Sequence, residues 1–403
     1  MALTLKLQFL GTGSQKSTIV RATQSIVVTI RNGLKAGEWL FDCGDITTHQ
    51  MYRLQREMKS SLSGERIRNL IIRPSRISTI FITHMHGDHI YGLPAFLSDA
   101  GISRTQNNQT YAPVEIYGPY GLAKYLKTVF QLTDTKTNCP CIVHELFSDE
   151  NDPRLDEYAS NSTRLHYEDR RIQVAPLFPA SDGFWDLCET TLGSVRAGKI
   201  KHTVDCFGFA YTSPPQFKKL DEAKIHELYQ ENASKLLTTC GVTEQDVIQR
   251  LQQGKKVVLG ENCTIDPFDS TLFAEQKNTK RFAILGDTSD ARSMLPLLKQ
   301  TDLLVHESTV IPLQKELRTL QIAVFLFNKI GGRSMEDIEA IVRESGHSTA
   351  RMAGAFAKEC EAKRLVLTHI SSRYPANSKR FDSPEMRELR ELAVVRSMSW
   401  REA

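Results

Sequence analysis

The run Thr83-His84-Met85-His86-Gly87-Asp88-His89 follows directly on an apolar stretch at residues 77–82, and it constrains this chain more than any other feature. Three imidazoles and a carboxylate this close together cannot form a buried core. Each would need a polar partner or incur a desolvation cost of roughly 2–7 kcal/mol. Metal ions meet that need together. His84 and His86 are two apart and can converge on one ion from an extended turn, while Asp88 and His89 follow on the next turn and face a second. Gly87 permits the tight bend between them.

Two later segments have the same form. Residues 281–285 are an apolar strand that runs into Gly286-Asp287, and residues 364–367 run into Thr368-His369. Three strands that each end in a metal-capable side chain imply one shared rim. His144 and His166 are further imidazoles. His144 follows Cys139-Pro140-Cys141, where two cysteines one residue apart without a second pair suit zinc poorly. These are expected to be core or loop residues.

Alternation and short apolar runs predict strands at residues 5–10, 25–30, 38–41, 77–82 and 114–117, with helices at 91–99 and 120–132. Later strands at 281–285, 302–305 and 364–367 alternate with helical patterns at 335–344 and 348–361. This is α/β order, with sheets covered by helices. The 403 residues are 40% hydrophobic and 24% charged, with a net charge of +4, which excludes a disordered chain, a collagen-like repeat and a coiled coil. No run approaches the ~18 apolar residues of a membrane span, so a soluble protein is expected. The cysteines fall far below disulfide-scaffold density, which points to a reducing compartment and, by default, the cytoplasm. The N-terminal residues alternate into Gly11 and read as a first strand rather than a removable signal. Residues 149–171 and 212–265 read as surface excursions. The basic clusters Arg66, Arg68, Arg73, Arg76 and Arg364, Arg373, Lys379, Arg380 read first as solvated faces.

The His84–His89 run resembles the signature of the metallo-β-lactamase superfamily, whose fold is a four-layer αββα sandwich holding one or two zinc ions at the sheet edge. The resemblance implies that residues 1–403 form one such domain, with 212–265 as an insertion. It implies that Asp287 bridges both metals, that His369 completes the second site, and that His202, in Lys201-His202-Thr203, is the third histidine of the first. The expected metal ligands are therefore His84, His86, Asp88, His89, His202, Asp287 and His369, with two Zn²⁺ per subunit.

Fold and metals give a reaction type, hydrolysis, and not a substrate. Phe9-Leu10-Gly11-Thr12-Gly13-Ser14, Phe41-Asp42-Cys43-Gly44, Val305-His306-Glu307-Ser308-Thr309, Gly346-His347-Ser348-Thr349 and His369-Ile370-Ser371-Ser372-Arg373-Tyr374 narrow it. Together they resemble the short form of the ribonuclease Z (tRNase Z) family. That resemblance implies a precursor tRNA substrate cut after the discriminator base, and a homodimer in which one subunit's arm serves the other's site. A ribose 3′-oxygen is a poor leaving group, so a positioned acid should help by roughly 10²- to 10⁴-fold. His347 is the candidate acid, oriented by Glu307, and Asp88 the candidate acceptor of the water's proton. The alternative role for Glu307 and His347 is helix capping and a surface salt bridge.

Residues 212–265 occupy the place of the family's RNA-gripping arm, with Lys218, Lys219, Lys224, Lys235, Lys255 and Lys256 available for phosphates and Arg373 near the site. The segment departs from the family pattern by lacking a Gly-Pro dipeptide, and a second departure lies at Asp42-Cys43-Gly44-Asp45-Ile46-Thr47-Thr48, where the family usually has an acidic Gly-Thr-Gln run. Two alternatives stay open at this point. One is a binuclear hydrolase of the same fold acting on a small phosphodiester, sulfate or ester; the other is a non-catalytic RNA-binding scaffold.

Overall fold

The computed structural model describes residues 3–372 apart from 20, 34, 62–70, 107–110, 136, 157–171, 215, 218–220, 240–242, 253–254, 261–262, 267–271, 273–275, 278 and 311–334. The first sheet opens with an antiparallel meander of β1 (Thr4–Gly11), β2 (Ser25–Asn32) and β3 (Lys35–Phe41). From β3 onward its strands run parallel: β4 (Ile77–Phe81), β5 (Val114–Pro119), β6 (Cys141–Leu146) and β7 (Ile172–Leu177). Parallel neighbours cannot be joined by a tight turn and need a crossover. It is supplied by α1 (Thr47–Ser61), by α2 (Gly87–Ile90) with α3 (Leu93–Gln106), and by α4 (Leu122–Leu132).

The second sheet begins with the antiparallel strands β8 (Trp185–Thr190), β9 (Gly193–Ile200) and β10 (Cys206–Thr212). The chain then forms a separate compact unit, Ser213–Lys280. This contains β11 (Gln216–Phe217), α5 (Glu222–Thr239), α6 (Glu244–Gln252), β12 (Val257–Gly260), β13 (Cys263–Ile265) and β14 (Gln276–Lys277). Its own core gathers Ile225, Tyr229, Val247, Leu251, Val257, Ile265 and Leu272. The second sheet resumes with β15 (Arg281–Leu285), antiparallel to β10, then β16 (Leu303–Glu307) and β17 (Leu365–Thr368), both parallel to their predecessor. Helices α7 (Leu295–Leu298), α8 (Met335–Glu344) and α9 (Ala350–Glu359) fall between these strands.

Period-two alternation sorts the side chains into layers. Val27, Leu40 and Ile80 face Met51, Phe96, Leu97 and Leu126 of the helices on one side. Their neighbours Ile26, Val28, Trp39, Phe41 and Phe81 face Phe207, Phe209, Tyr211 and Phe282 of the other sheet. Beyond that, Ala210, Ala283, Leu285 and Leu304 meet Met294, Leu298, Phe356 and Ala357. Helix, sheet, sheet, helix is the expected αββα order. The predicted strands at 281–285 and the helix at 335–344 match the observed elements end to end. The helix expected at 91–99 instead starts at Leu93 and continues to Gln106, because Ala100, Gly101 and Arg104 are buried as well. Among the described residues no helix is long and apolar enough to cross a membrane.

The parallel strands end at one rim, the usual place for ligands in open α/β sheets. There the two sheets are tied by the backbone, Phe207 N–H donating to the Thr83 carbonyl at 2.9 Å, while Gly286 N–H extends the β10–β15 pairing by donating to the Phe207 carbonyl at 3.3 Å. Gly286 is required for this approach, since a Cβ there would lie 2.6 Å from Cys206 Sγ and 2.7 Å from Thr83 Cβ.

Phe81 is fully buried and stacks on both Phe41 (4.7 Å between centroids) and Tyr117 (5.5 Å). Phe81→Ala is therefore expected to cost about 3–5 kcal/mol of stability, read as a lowered urea midpoint at unchanged m-value.

Candidate metal centre

All seven predicted donors meet at this rim. His84 and His86 leave the end of β4, His202 lies in the β9–β10 loop, Asp287 follows β15 and His369 follows β17. His86 Nδ1 is 3.0 Å from His84 Nε2 and 3.2 Å from His202 Nε2. Asp287 Oδ2 lies 3.6 Å from His84 Nε2 and 4.0 Å from His202 Nε2. On the other side, Asp88 Oδ2 is 3.0 Å from His369 Nε2 and 3.8 Å from His89 Nε2. Asp287 closes this group too, with Oδ1 3.5 Å from His89 Nε2 and Oδ2 3.2 Å from His369 Nε2. Two donor sets thus share one carboxylate.

The outward nitrogens fix which atoms face inward. His202 Nδ1 donates to the Gly346 carbonyl at 2.7 Å, and His89 Nδ1 to Asp42 Oδ2 at 2.7 Å. Thr83 Oγ1 donates to Asp42 and accepts from His84 Nδ1 at 3.0 Å. Thr309 Oγ1 donates to Glu307 Oε2 at 2.7 Å and accepts from His369 Nδ1 at 2.8 Å. Each ring is left with a bare Nε2 lone pair directed into the centre. His86 Nδ1 can donate one proton at most, yet it faces the lone pairs of both His84 and His202. His89 Nε2 is buried with no hydrogen-bond partner at all. Converging lone pairs, an orphaned buried nitrogen and a shared carboxylate fit divalent cations, and the chemistry of an N- and O-donor set is that of zinc.

The electrostatics agree. Burial holds His84 well below the ordinary imidazole range, and it lowers His86 and His202 as well, which favours the neutral form that a cation needs. At Asp287 burial opposes ionisation, but the surrounding His369, His89 and His84 outweigh it and keep the carboxyl well below its usual range. At His89 burial opposes charge, but Asp287 and Asp42 outweigh it and raise the pKa well above the ordinary imidazole range, so a cation binding at Nε2 would displace a proton.

Glu307, the last residue of β16, is 1% exposed and accepts from five donors. Thr288 N–H (3.0 Å), Ser348 N–H (3.1 Å) and His347 Nδ1 (3.0 Å) reach Oε1; Thr309 N–H (2.9 Å) and Oγ1 (2.7 Å) reach Oε2. It is a buried anchor, whereas helix capping falls to Thr349, which accepts from Met352 N–H at the start of α9. His347 Nδ1 is 3.8 Å from Asp287 Oδ2, and its ring stacks on that of His369 at 5.6 Å. Burial would depress its pKa, but Glu307, Asp287 and Asp88 raise it to about 9. A protonated imidazole beside the metal ligands is the arrangement of a general acid.

Of the predicted RNA contacts, Lys255 and Lys256 are exposed in the Ser213–Lys280 unit, where Lys256 Nζ pairs with Asp266 at 2.8 Å. Lys218, Lys219 and Arg373 lie outside the described residues, as does His166, while Lys235 falls within α5. His144 is on β6, bonded to Glu115 and stacked on Tyr117, and Cys139 and Cys141 are buried. Sequence reasoning did not assign Asp42, Thr83, Thr309 or Gly346 to the centre. Asp42 carried a usable signal, since it too follows an apolar strand, and Thr309 is two residues from Glu307.

Residues 5–128, which span β1 to α4 and include the His84–His89 run, match the family model described as Anti-Pycsar protein Apyc1. Over most of its length the chain is similar to zinc phosphodiesterase ELAC protein 1 of Mus musculus, 31% identical over 384 residues, 92% of this chain and 88% of the relative. It is similar to ribonuclease BN of Cronobacter sakazakii, 30% identical over 372 residues, covering 92% and 91%. The solved structure of human tRNase Z, short form (ELAC1), superposes with a TM-score of 0.52 at 23% identity, covering 91% of this chain and 93% of that one. That likeness shows the fold, a metallo-β-lactamase sandwich.

Because Asp42 holds the His89 ring and, through Thr83, the His84 ring, Asp42→Ala is expected to weaken metal affinity roughly 10- to 100-fold. Competition with a chromophoric zinc chelator measures it, and an unchanged affinity would refute the orienting role.

Proposed function

The chain belongs to the family of ribonucleases Z and BN and the ELAC-type zinc phosphodiesterases, and from that membership we propose that it is a zinc-dependent endoribonuclease removing the 3′ trailer of precursor tRNA. The products are a 3′-hydroxyl on the tRNA and a 5′-phosphate on the trailer. The observation that carries the reading is His347, held by Glu307 and 3.8 Å from the carboxylate that both donor sets share. A phosphodiester needs both an activated water and a protonated leaving oxygen, and acid and metal donors are adjacent here.

In this reading His84, His86, His202 and Asp287 would hold one zinc ion, and Asp88, His89, His369 and Asp287 would hold a second. Two such ions supply a water of lowered pKa and charge compensation for the phosphate. Asp88 accepts the proton of the attacking water. His347 gives its proton to the departing ribose 3′-oxygen, and Glu307 keeps the ring turned toward that oxygen and stabilises its charge. Residues 212–265, most of which fall in the Ser213–Lys280 unit, with Lys218, Lys219, Lys255 and Lys256, are the proposed RNA-binding arm, and Arg373 a further contact. The protein acts as a homodimer in the cytoplasm, a setting that suits its free thiols, among them Cys43, Cys139 and Cys206.

The test is cleavage of an end-labelled precursor tRNA by zinc-loaded protein beside its His84→Ala and His347→Ala variants. Cutting at the discriminator base is expected, with loss of activity in His84→Ala. In His347→Ala the rate should fall roughly 10²- to 10⁴-fold with metal content retained. Turnover of bis-p-nitrophenyl phosphate without cutting of the RNA would replace this reading by that of a small-diester hydrolase.

A further inference from the structure

A cavity of about 190 Å³ lies between the loop after β15, the end of β16 and helices α8 and α9, and none of the seven metal donors lines it. Its floor offers acceptors that the protein does not use. His306 is 2% exposed, and its Nδ1 donates to the Glu307 carbonyl at 2.8 Å. Burial lowers the pKa of the ring and favours its neutral form, so Nε2 carries a lone pair, for which there is no donor among the described residues. Ser348 gives its hydroxyl proton to the Thr288 carbonyl at 2.6 Å, so its oxygen too can only accept. Beside these polar atoms the wall is apolar, with Ala291, Met352 and the Phe356 ring, whose centroid is 5.7 Å from that of His306. A buried acceptor left without a donor costs about 1–3 kcal/mol, which a ligand bearing an N–H group recovers.

The mouth is cationic. Arg292, Arg343 and Arg351 are exposed there, beside two carboxylates, Asp290 and Glu339. Those carboxylates are already engaged, Asp290 Oδ2 by Arg292 Nη1 at 3.3 Å and Glu339 Oε1 by Arg351 Nε at 2.7 Å. Arg343 is left over. Its Nη1 reaches only the Ser289 carbonyl, at 3.5 Å, and among the described residues no acid pairs with it. An anion at the mouth therefore meets one guanidinium whose remaining donors are not committed to a carboxylate.

We propose that this cavity binds a free nucleoside 5′-monophosphate whose base carries an amino group, the base entering toward His306 and the phosphate resting on Arg343. A cavity of roughly 150 Å³ takes up a benzene ring, so this one has room for a base beside Met352 and Phe356, with ribose and phosphate at the mouth. An amino group brings donors to a floor of acceptors, and a guanidinium fork matches two non-bridging phosphate oxygens. The site is separate from the hydrolytic centre but shares its framework, because His306 and Ser348 both bond to Glu307. The inference holds whichever phosphodiester the metals cut.

The test is calorimetric titration of the zinc-loaded protein with adenosine 5′-monophosphate, and separately with adenosine and with purine riboside 5′-monophosphate, which lacks the amino group. The adenine nucleotide should saturate one site per chain. Each of the other two should bind roughly 10- to 100-fold more weakly, one for want of the charge-assisted contact and the other for want of the donor to the floor. Arg343→Gln should weaken the nucleotide by a similar factor and leave adenosine unchanged. Ala355→Trp, a substitution in the cavity wall, should abolish binding of both. Neither residue belongs to the metal centre or to the Glu307–His347 pair, so unchanged turnover of bis-p-nitrophenyl phosphate by the two variants shows that they are folded. No saturation by millimolar nucleotide overturns the proposal. So does equal affinity for the analogue without the amino group, and so does binding that both variants leave intact, which would place the nucleotide on the metals instead.

Discussion

Glu307 brings a negative charge into a place where water does not reach, so each of its lone pairs has to be met by the protein. The donors that meet them belong to the segments that carry the chemistry. Thr288 follows Asp287, Ser348 follows His347, and the Thr309 hydroxyl passes the interaction on to His369. One carboxylate thereby sets the position of Asp287, of the imidazole beside it and of the last histidine. Asp42 has the same office in the first sheet, where it meets Thr83 N–H at 2.8 Å and the His89 ring. Two buried anions, one per sheet, organise a centre built to receive cations.

Strain collects around the same rim. Asp42 (φ 55°) and His369 (φ 54°) hold left-handed backbone without being glycine, as do Gln15 (φ 63°) and Ile46 (φ 55°) close by. Such conformations cost of order 1–3 kcal/mol each and persist only when the surroundings over-determine them. Here the surroundings are the aromatic layer between the sheets and the cross-sheet bond from Phe207 to Thr83. The dense interior lets the strand ends turn in directions that their backbone would not choose alone.

Much of this was legible in the residues. Histidines and carboxylates at the ends of apolar strands have few structural uses, so the side chains at 84–89, 287 and 369 pointed to a cluster able to bind metal and to the rim where it gathers. Strands whose side chains alternate between two buried layers were easy where Val, Ile and Phe recur, as in β2 and β4. They were harder in β9, where Gly193, Ser194, Arg196, Gly198 and Lys199 dilute the pattern and partners two strands away decide the outcome. The holders of the rings were hidden for a different reason. Gly346 contributes only a carbonyl to His202, and a carbonyl leaves no mark on residue type. Thr83 and Thr309 act through hydroxyls that common threonines also present, so their roles exist only once the fold brings them within reach.

Thr212 and Arg281 are register partners at the ends of β10 and β15, and the Ser213 N–H bonds to the Lys280 carbonyl at 2.8 Å. The Ser213–Lys280 unit therefore enters and leaves through a closed gate of two neighbouring strands. Loop-closure entropy rises only slowly with the length of the excursion, and the metal rim lies on strand ends that this gate does not shape. Such a junction lets the inserted unit change in size and character across evolution, or be exchanged by design, while the hydrolytic centre is inherited intact.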